Sequence, residues 1–146
     1  MQLSTFSRYG MRAIIRLALF QQEGSGRVKL EKIAQHEGIS LKYLEAIFAA
    51  LKRQKLVQSF KGRSGGYKLR RQPAEITALE VVEALEGGIT PVDCVEDKNE
   101  CNFDPAKCSV SMLWNELNNV IKDYLKSKSL AVIINEGGIG DFDLES

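Results

Sequence analysis

The chain has 146 residues, 44% hydrophobic and 27% charged, enough to bury a core as one modest domain or as a small domain with an appendage. Its formal net charge of +1 conceals a dipole: residues 1–73 hold 15 Lys/Arg against 4 Asp/Glu (+11), and residues 74–146 hold 5 against 15 (−10). No stretch reaches the roughly 18–20 apolar residues that span a membrane, and three cysteines, an odd number, do not suggest a disulfide framework.

Residues 6–22 read as a first helix, with Met11, Ile14, Ile15, Ala18 and Leu19 on its buried side. Arg8, Arg12 and Arg16 recur every fourth residue as a basic stripe, which also breaks up any apolar signal-peptide core and predicts a cytoplasmic protein. The stripe is either a solvated face or a row of phosphate contacts. Ser7, Arg8 and Tyr9 favour the second reading, since they open a helix whose free amides attract an anion. Gln21 to Arg27 is expected to be a short loop.

Residues 30–71 are the organising segment. A helix from about Leu30 to Glu37 buries Ile33 and Ala34 and stops at Gly38, a residue suited to a tight turn. Ser40 is placed as the N-cap of a second helix, whose Leu44, Ile47, Phe48 and Leu51 form one apolar stripe. That leaves Lys42, Tyr43, Glu45 and Ala46 on the other side of its amino end. In a helix–turn–helix these are the positions that meet base edges in the major groove. Leu56–Phe60 and Tyr67–Arg70 alternate as strands do, and Lys61, Arg63 and Ser64 lie in a glycine-rich tip between them. The pattern is mainly α with a small β-hairpin: a winged helix–turn–helix over residues 1–75. A fold of this kind can also serve protein contacts alone, but here the basic half coincides with it, and basic side chains release counterions from phosphates.

Past the wing, Thr77 and Glu80 form a capping box, with Ile76 and Val81 as a staple, for a helix over Ala78–Glu86 ended by Gly87-Gly88. Residues 76–110 thus comprise a connecting helix and a loop that bears every cysteine. From about Ser109 to Lys128 a helix returns, with Leu113, Leu117, Val120, Ile121, Tyr124 and Leu125 as its stripe and Met112 and Trp114 beside it. Such a face needs a partner. A two-fold copy is expected over residues 111–135, because helix–turn–helix proteins generally read two half-sites of a palindromic operator in double-stranded DNA. Leu130–Ile134 can add a short helix, and residues 136–146 are expected to be a mobile tail.

Cys94, Cys101 and Cys108 are separated by six residues each. Spacing alone leaves two readings open: three separate thiols, or thiolates converging on a zinc ion or iron–sulfur cluster short of one ligand. His36, the only histidine, reads as exposed on its helix rather than as that ligand. An enzyme is not expected: His36 lies far along the chain from the cysteines, and nothing resembles a substrate pocket.

The segments Met1–Gly10, Ile39–Glu45, Leu56-Val57, Gly62–Tyr67, Ile76–Ala78, and Cys108 with Leu113-Trp114 together resemble the Rrf-two family of bacterial transcription regulators, IscR-like members among them. The resemblance covers residues 1 to about 135. It implies a homodimeric winged-helix regulator, usually a repressor, with a long dimerisation helix, sensing iron–sulfur status, nitric oxide, redox state or cysteine supply. It further implies a cluster, 2Fe–2S ahead of 4Fe–4S, ligated by Cys94, Cys101 and Cys108. The chain departs from the pattern at Ser111, where IscR-like members place a histidine, and at Arg8, where nitric-oxide sensors can use an acidic residue. Asp93, Glu100, Asp104, Ser111 or an external thiol remain as fourth ligands. By the same resemblance Glu45 reads bases, Lys61 stands where relatives often carry arginine, and Arg63 reaches the minor groove. Tyr67 braces the hairpin. A cluster-free regulator of the same fold, sensing thiol oxidation or a partner protein, is the alternative.

Overall fold

The computed structural model describes residues 2–91 and 108–137. Helix α1 (Thr5–Gln22) starts at Ser4, whose hydroxyl accepts from the Ser7 amide at 3.1 Å. From Ala13 to Phe20 it is buried on every side, because α2 (Leu30–Glu37), α3 (Leu41–Arg53), the hairpin and α4 (Ala78–Glu86) all pack against it. The α2–α3 turn is made as its residues dictate. Gly38 ends α2 with φ 67°, its amide donating to Ala34 O at 2.9 Å, and the Ser40 hydroxyl caps α3 by accepting from the Tyr43 amide at 3.2 Å. Leu44, Ile47, Phe48 and Leu51, the stripe expected for α3, are all fully buried.

Strands β1 (Val57–Phe60) and β2 (Gly66–Leu69) pair antiparallel, Val57 opposite Leu69 and Phe60 opposite Gly66. The loop between α1 and α2 forms over residues 23–27 and ends in a pairing. Val28 pairs with Tyr67 through two hydrogen bonds of 2.9 and 2.7 Å, adding a one-residue third strand that ties the wing to the start of α2. Gly66 permits it: its φ is 132°, and a Cβ there would sit 2.7 Å from Val28 O.

A 3₁₀ turn (Pro73–Glu75) leads to α4, whose capping box forms as expected, Thr77 Oγ1 accepting from Glu80 N and Glu80 Oε2 accepting from Thr77 N. Arg71 adds a 2.8 Å ion pair to Glu80. Burial raises the Glu80 pKa, but the Thr77 amide and Arg71 outweigh it and hold the carboxyl below its ordinary value.

Helix α5 (Ser111–Lys126) packs on α4, and α6 (Leu130–Gly137) folds back on the winged unit, with Leu130 N donating to Ile76 O at 2.9 Å and Ala78 N to Lys128 O at 2.7 Å. The apolar stripe of α5 is divided. Asn118, Ile121 and Leu125, with Trp114, lie on its more buried side, while Met112, Leu113, Leu117, Val120 and Tyr124 are open to solvent, Met112 at 71% and Val120 at 63%. Cys94 and Cys101, with Asp93, Glu100 and Asp104, lie outside the described residues, as does the tail from residue 138.

Candidate nucleic-acid interface

The amino end of α3 and the hairpin face the same hollow. It holds about 430 Å³ and is walled by Lys29 and Glu31 at the start of α2, Leu41 and Glu45 on α3, and Phe60, Gly62 and Tyr67 on the wing. Lys42, Glu45 and Ala46 are exposed at the end of α3 that the Ser40 cap begins. The Ser40 oxygen accepts from Tyr43, which leaves its own proton for an external acceptor. Tyr43 is half-buried, with the ring edges of Phe6 and Tyr9 against it at 5.7 and 6.0 Å. Tyr9 keeps a third of its surface open, and Arg12 stands 5.6 Å above its ring.

The wing carries Lys61, Arg63 and Ser64, all exposed, in a turn closed by Gly65 N donating to Gly62 O at 3.0 Å. Its posture is braced from the side. Arg27 lies 3.8 Å over the Phe60 ring and donates to Ser64 O at 3.3 Å, so this guanidinium holds the tip by stacking and by a hydrogen bond at once. Tyr67 packs its ring 5.0 Å from Phe48, the bracing position expected of it. Burial first, and the nearby Glu45 carboxylate second, raise its hydroxyl pKa. Glu45 and Tyr67 line the same hollow, which puts Glu45 on the wing side of α3.

Two parts of the expected surface lie elsewhere. Ser7 is only 2% exposed, and its hydroxyl donates to Glu86 Oε1 at 2.5 Å, so it has nothing to offer a phosphate. The stripe of three arginines also splits. Arg8 is exposed, touching Thr5 at 3.1 Å, but Arg16 is buried with Nε donating to Glu37 at 2.8 Å, and Arg12 donates to the same carboxylate at 3.0 Å. Periodicity placed these arginines on one face correctly; the carboxylate across from them was invisible because it comes from α2. Burial raises the Glu37 pKa, while the hydrogen bonds and charges of Arg16 and then Arg12 prevail and lower it. Arg27, Glu37 and Glu86 were missed for one reason: each acts on a residue at least 21 positions away.

Among the described residues no three His, Cys, Asp or Glu side chains are grouped to hold a metal ion, and no helix is long and apolar enough to cross a membrane. Cys108 is half-buried just ahead of α5 and is in no disulfide. Ser111, three residues on, donates its hydroxyl to Cys108 O at 3.2 Å.

The family model described as an iron-dependent transcriptional regulator, Rrf2, matches residues 3–136. The chain is similar to the HTH-type transcriptional regulator CymR of Bacillus subtilis (strain 168), 38% identical over 130 residues covering 89% of this chain and 87% of that one. It is also similar to the HTH-type transcriptional regulator IscR of Photorhabdus laumondii, 34% identical over 141 residues covering 97% and 84%. Among solved structures, CymR, the global cysteine regulator of B. subtilis, superposes with a TM-score of 0.73 at 35% identity, covering 93% of this chain and 98% of that one. A winged helix–turn–helix with an exposed basic wing tip, matched along most of its length by such regulators, leaves one assignment: this chain belongs to the Rrf2 family of DNA-binding transcription regulators and is not an enzyme.

Proposed function

We propose that the protein is a cytoplasmic, homodimeric repressor that reads a palindromic operator and responds to iron–sulfur or redox status. The observation that carries the reading is the hollow that α3 and the wing share, lined by Glu45, with Lys42 exposed on the same helix and Lys61 and Arg63 exposed at the wing tip. The lysines and arginine supply phosphate affinity. Glu45 supplies discrimination, since a carboxylate is repelled by phosphates but accepts from cytosine N4. Ser40, Tyr43 and Ser64 fill the remaining contacts, with Arg8 and Tyr9 on the flank. The uncovered side of α5 supports a second copy as its partner.

Cys94, Cys101 and Cys108 would hold a 2Fe–2S cluster as thiolates, which supplies a one-electron, oxidant-sensitive centre. The half-buried, undisulfided Cys108 at the root of α5 suits this, as does the family's iron dependence. No histidine stands at position 111, where Ser111 instead donates its hydroxyl to Cys108 O, so the fourth position falls to an oxygen or exchangeable donor. Retention in air should accordingly be shorter than in histidine-ligated relatives. Anchoring three points of residues 89–110 to one centre would bias the placement of α5 against the winged unit, and so the spacing of two recognition helices.

The deciding measurement is an anaerobic visible spectrum with iron and sulfide analysis of freshly purified protein. Stoichiometric iron with thiolate–iron charge-transfer bands is expected. A colourless protein that binds DNA unchanged after anaerobic reconstitution would instead favour thiol or partner sensing, a reading supported by the 38% identity to CymR.

A further inference from the structure

Glu86 ends α4 and lies against the start of α1, some 80 positions earlier in the chain. Its Oε1 receives three hydrogen bonds there: from the Ser4 amide at 2.8 Å, the Ser4 hydroxyl at 2.6 Å and the Ser7 hydroxyl at 2.5 Å. A helix leaves its first amides unsatisfied and its amino end partly positive. Glu86 therefore completes the cap of α1 from another helix, and these donors, the Ser4 and Ser7 hydroxyls foremost, lower its pKa. One turn on, Gly10 lets α1 approach α4 so closely that the Leu85 side chain occupies the place of a Cβ. The carboxylate fixes α1 along its axis, and the Gly10 crossing fixes it sideways.

The recognition helix rests on this fixed start. Phe6 and Tyr9, one turn apart on α1, meet the Tyr43 ring at 86° and 87°. Tyr43 is the third residue of α3 and donates the amide that Ser40 caps. A continuous line of contacts thus runs from Glu86 through Ser4 and Ser7 to Phe6 and Tyr9, and on to the end of α3 that faces bases.

We propose that Glu86 is a positioning residue for sequence reading: it sets the height and rotation of α1, and through Phe6 and Tyr9 the aim of Tyr43, Lys42 and Glu45. The inference rests on α3 being the reading helix. A cap that served stability alone would, when lost, weaken binding to every duplex alike; a lost aim weakens the preferred sequence selectively.

The test uses the full chain, a duplex selected from random sequence by the wild-type protein, and an unselected duplex of equal length. Glu86→Ala should lower the ratio of selected to unselected affinity roughly tenfold, the scale of one lost base contact, with the unselected affinity little changed. Glu86→Gln, which keeps an acceptor oxygen, should recover most of the ratio, and Ser7→Ala, which strands no charge, should fall between. An unchanged ratio in both Glu86→Ala and Ser7→Ala, or equal losses on both duplexes, overturns the proposal. Glu45→Ala run alongside separates the two layers. If it lowers the ratio while Glu86→Ala does not, only the positioning role falls; if neither does, the reading helix is misassigned and the positioning role falls with it.

Discussion

Arg16, in the middle of α1, donates to Glu37 at the end of α2 over 2.8 Å, with both side chains nearly out of water. Two helices are thereby joined by a charge pair inside the DNA-binding unit. Glu37→Ala removes the charged hydrogen-bond partner of a nearly buried guanidinium, so it should cost about 3 kcal/mol, read as a lower midpoint in thermal or urea unfolding. The pair also predicts pH behaviour. Its carboxyl titrates lower in the folded than in the unfolded chain. The pair's contribution is therefore complete above the unfolded value and is lost as pH falls through the folded one. The acid limb of the stability curve should be shallower in Glu37→Ala than in the wild type.

Lys61 and Arg63 stand exposed at the wing tip, and neither is in an ion pair among the described residues. Each alanine replacement should lower the slope of log affinity against log salt by about 1. Thermal stability should be unchanged. Fluorescence anisotropy across a salt series measures the first, and a melting scan the second.

Gly66→Ala should damage the wing rather than the core. A methyl group at φ 132° meets the Val28 backbone, so the Val28–Tyr67 pairing has to open. A cost of about 2 kcal/mol is expected from the backbone strain. Amide exchange at Val28 and Tyr67 should accelerate more than at Leu44 or Ile47.

On α5, Val120→Asp should convert a two-fold assembly to monomers, because that position is open in one copy and central on the bare stripe. Sedimentation equilibrium should show half the mass with unchanged helical circular dichroism. Wild-type protein sedimenting as a monomer at tens of micromolar would refute the assignment of a second copy to this face.

What could be read from the sequence was local. Ser40 with Tyr43, Gly38 after Ala34, and Thr77 with Glu80 are interactions within four residues, and each appears where its residue types put it. The core stripe of α3 followed from period alone. Features that shape the interface are long-range: Val28 on Tyr67, Arg27 on Ser64, Glu37 on Arg16 and Glu86 on Ser7 join elements whose juxtaposition no window of sequence contains. Period also could not tell that α5 would split its apolar side, because a helix packed on α4 along one side only looks the same in sequence as one packed along both, and among the described residues its other side stays open. Cys94 and Cys101, and with them the expected cluster site, lie outside the described residues.

The bare side of α5 carries a consequence for the cell. A helix that leaves Met112, Val120 and Tyr124 in water is at its most stable only when another surface meets it. With a second copy as that surface, as proposed, occupancy of the operator would rise with the square of the protein's abundance at low copy number. A repressor acting on its own promoter through such a helix would throttle synthesis steeply once pairs begin to form, and barely at all below that level.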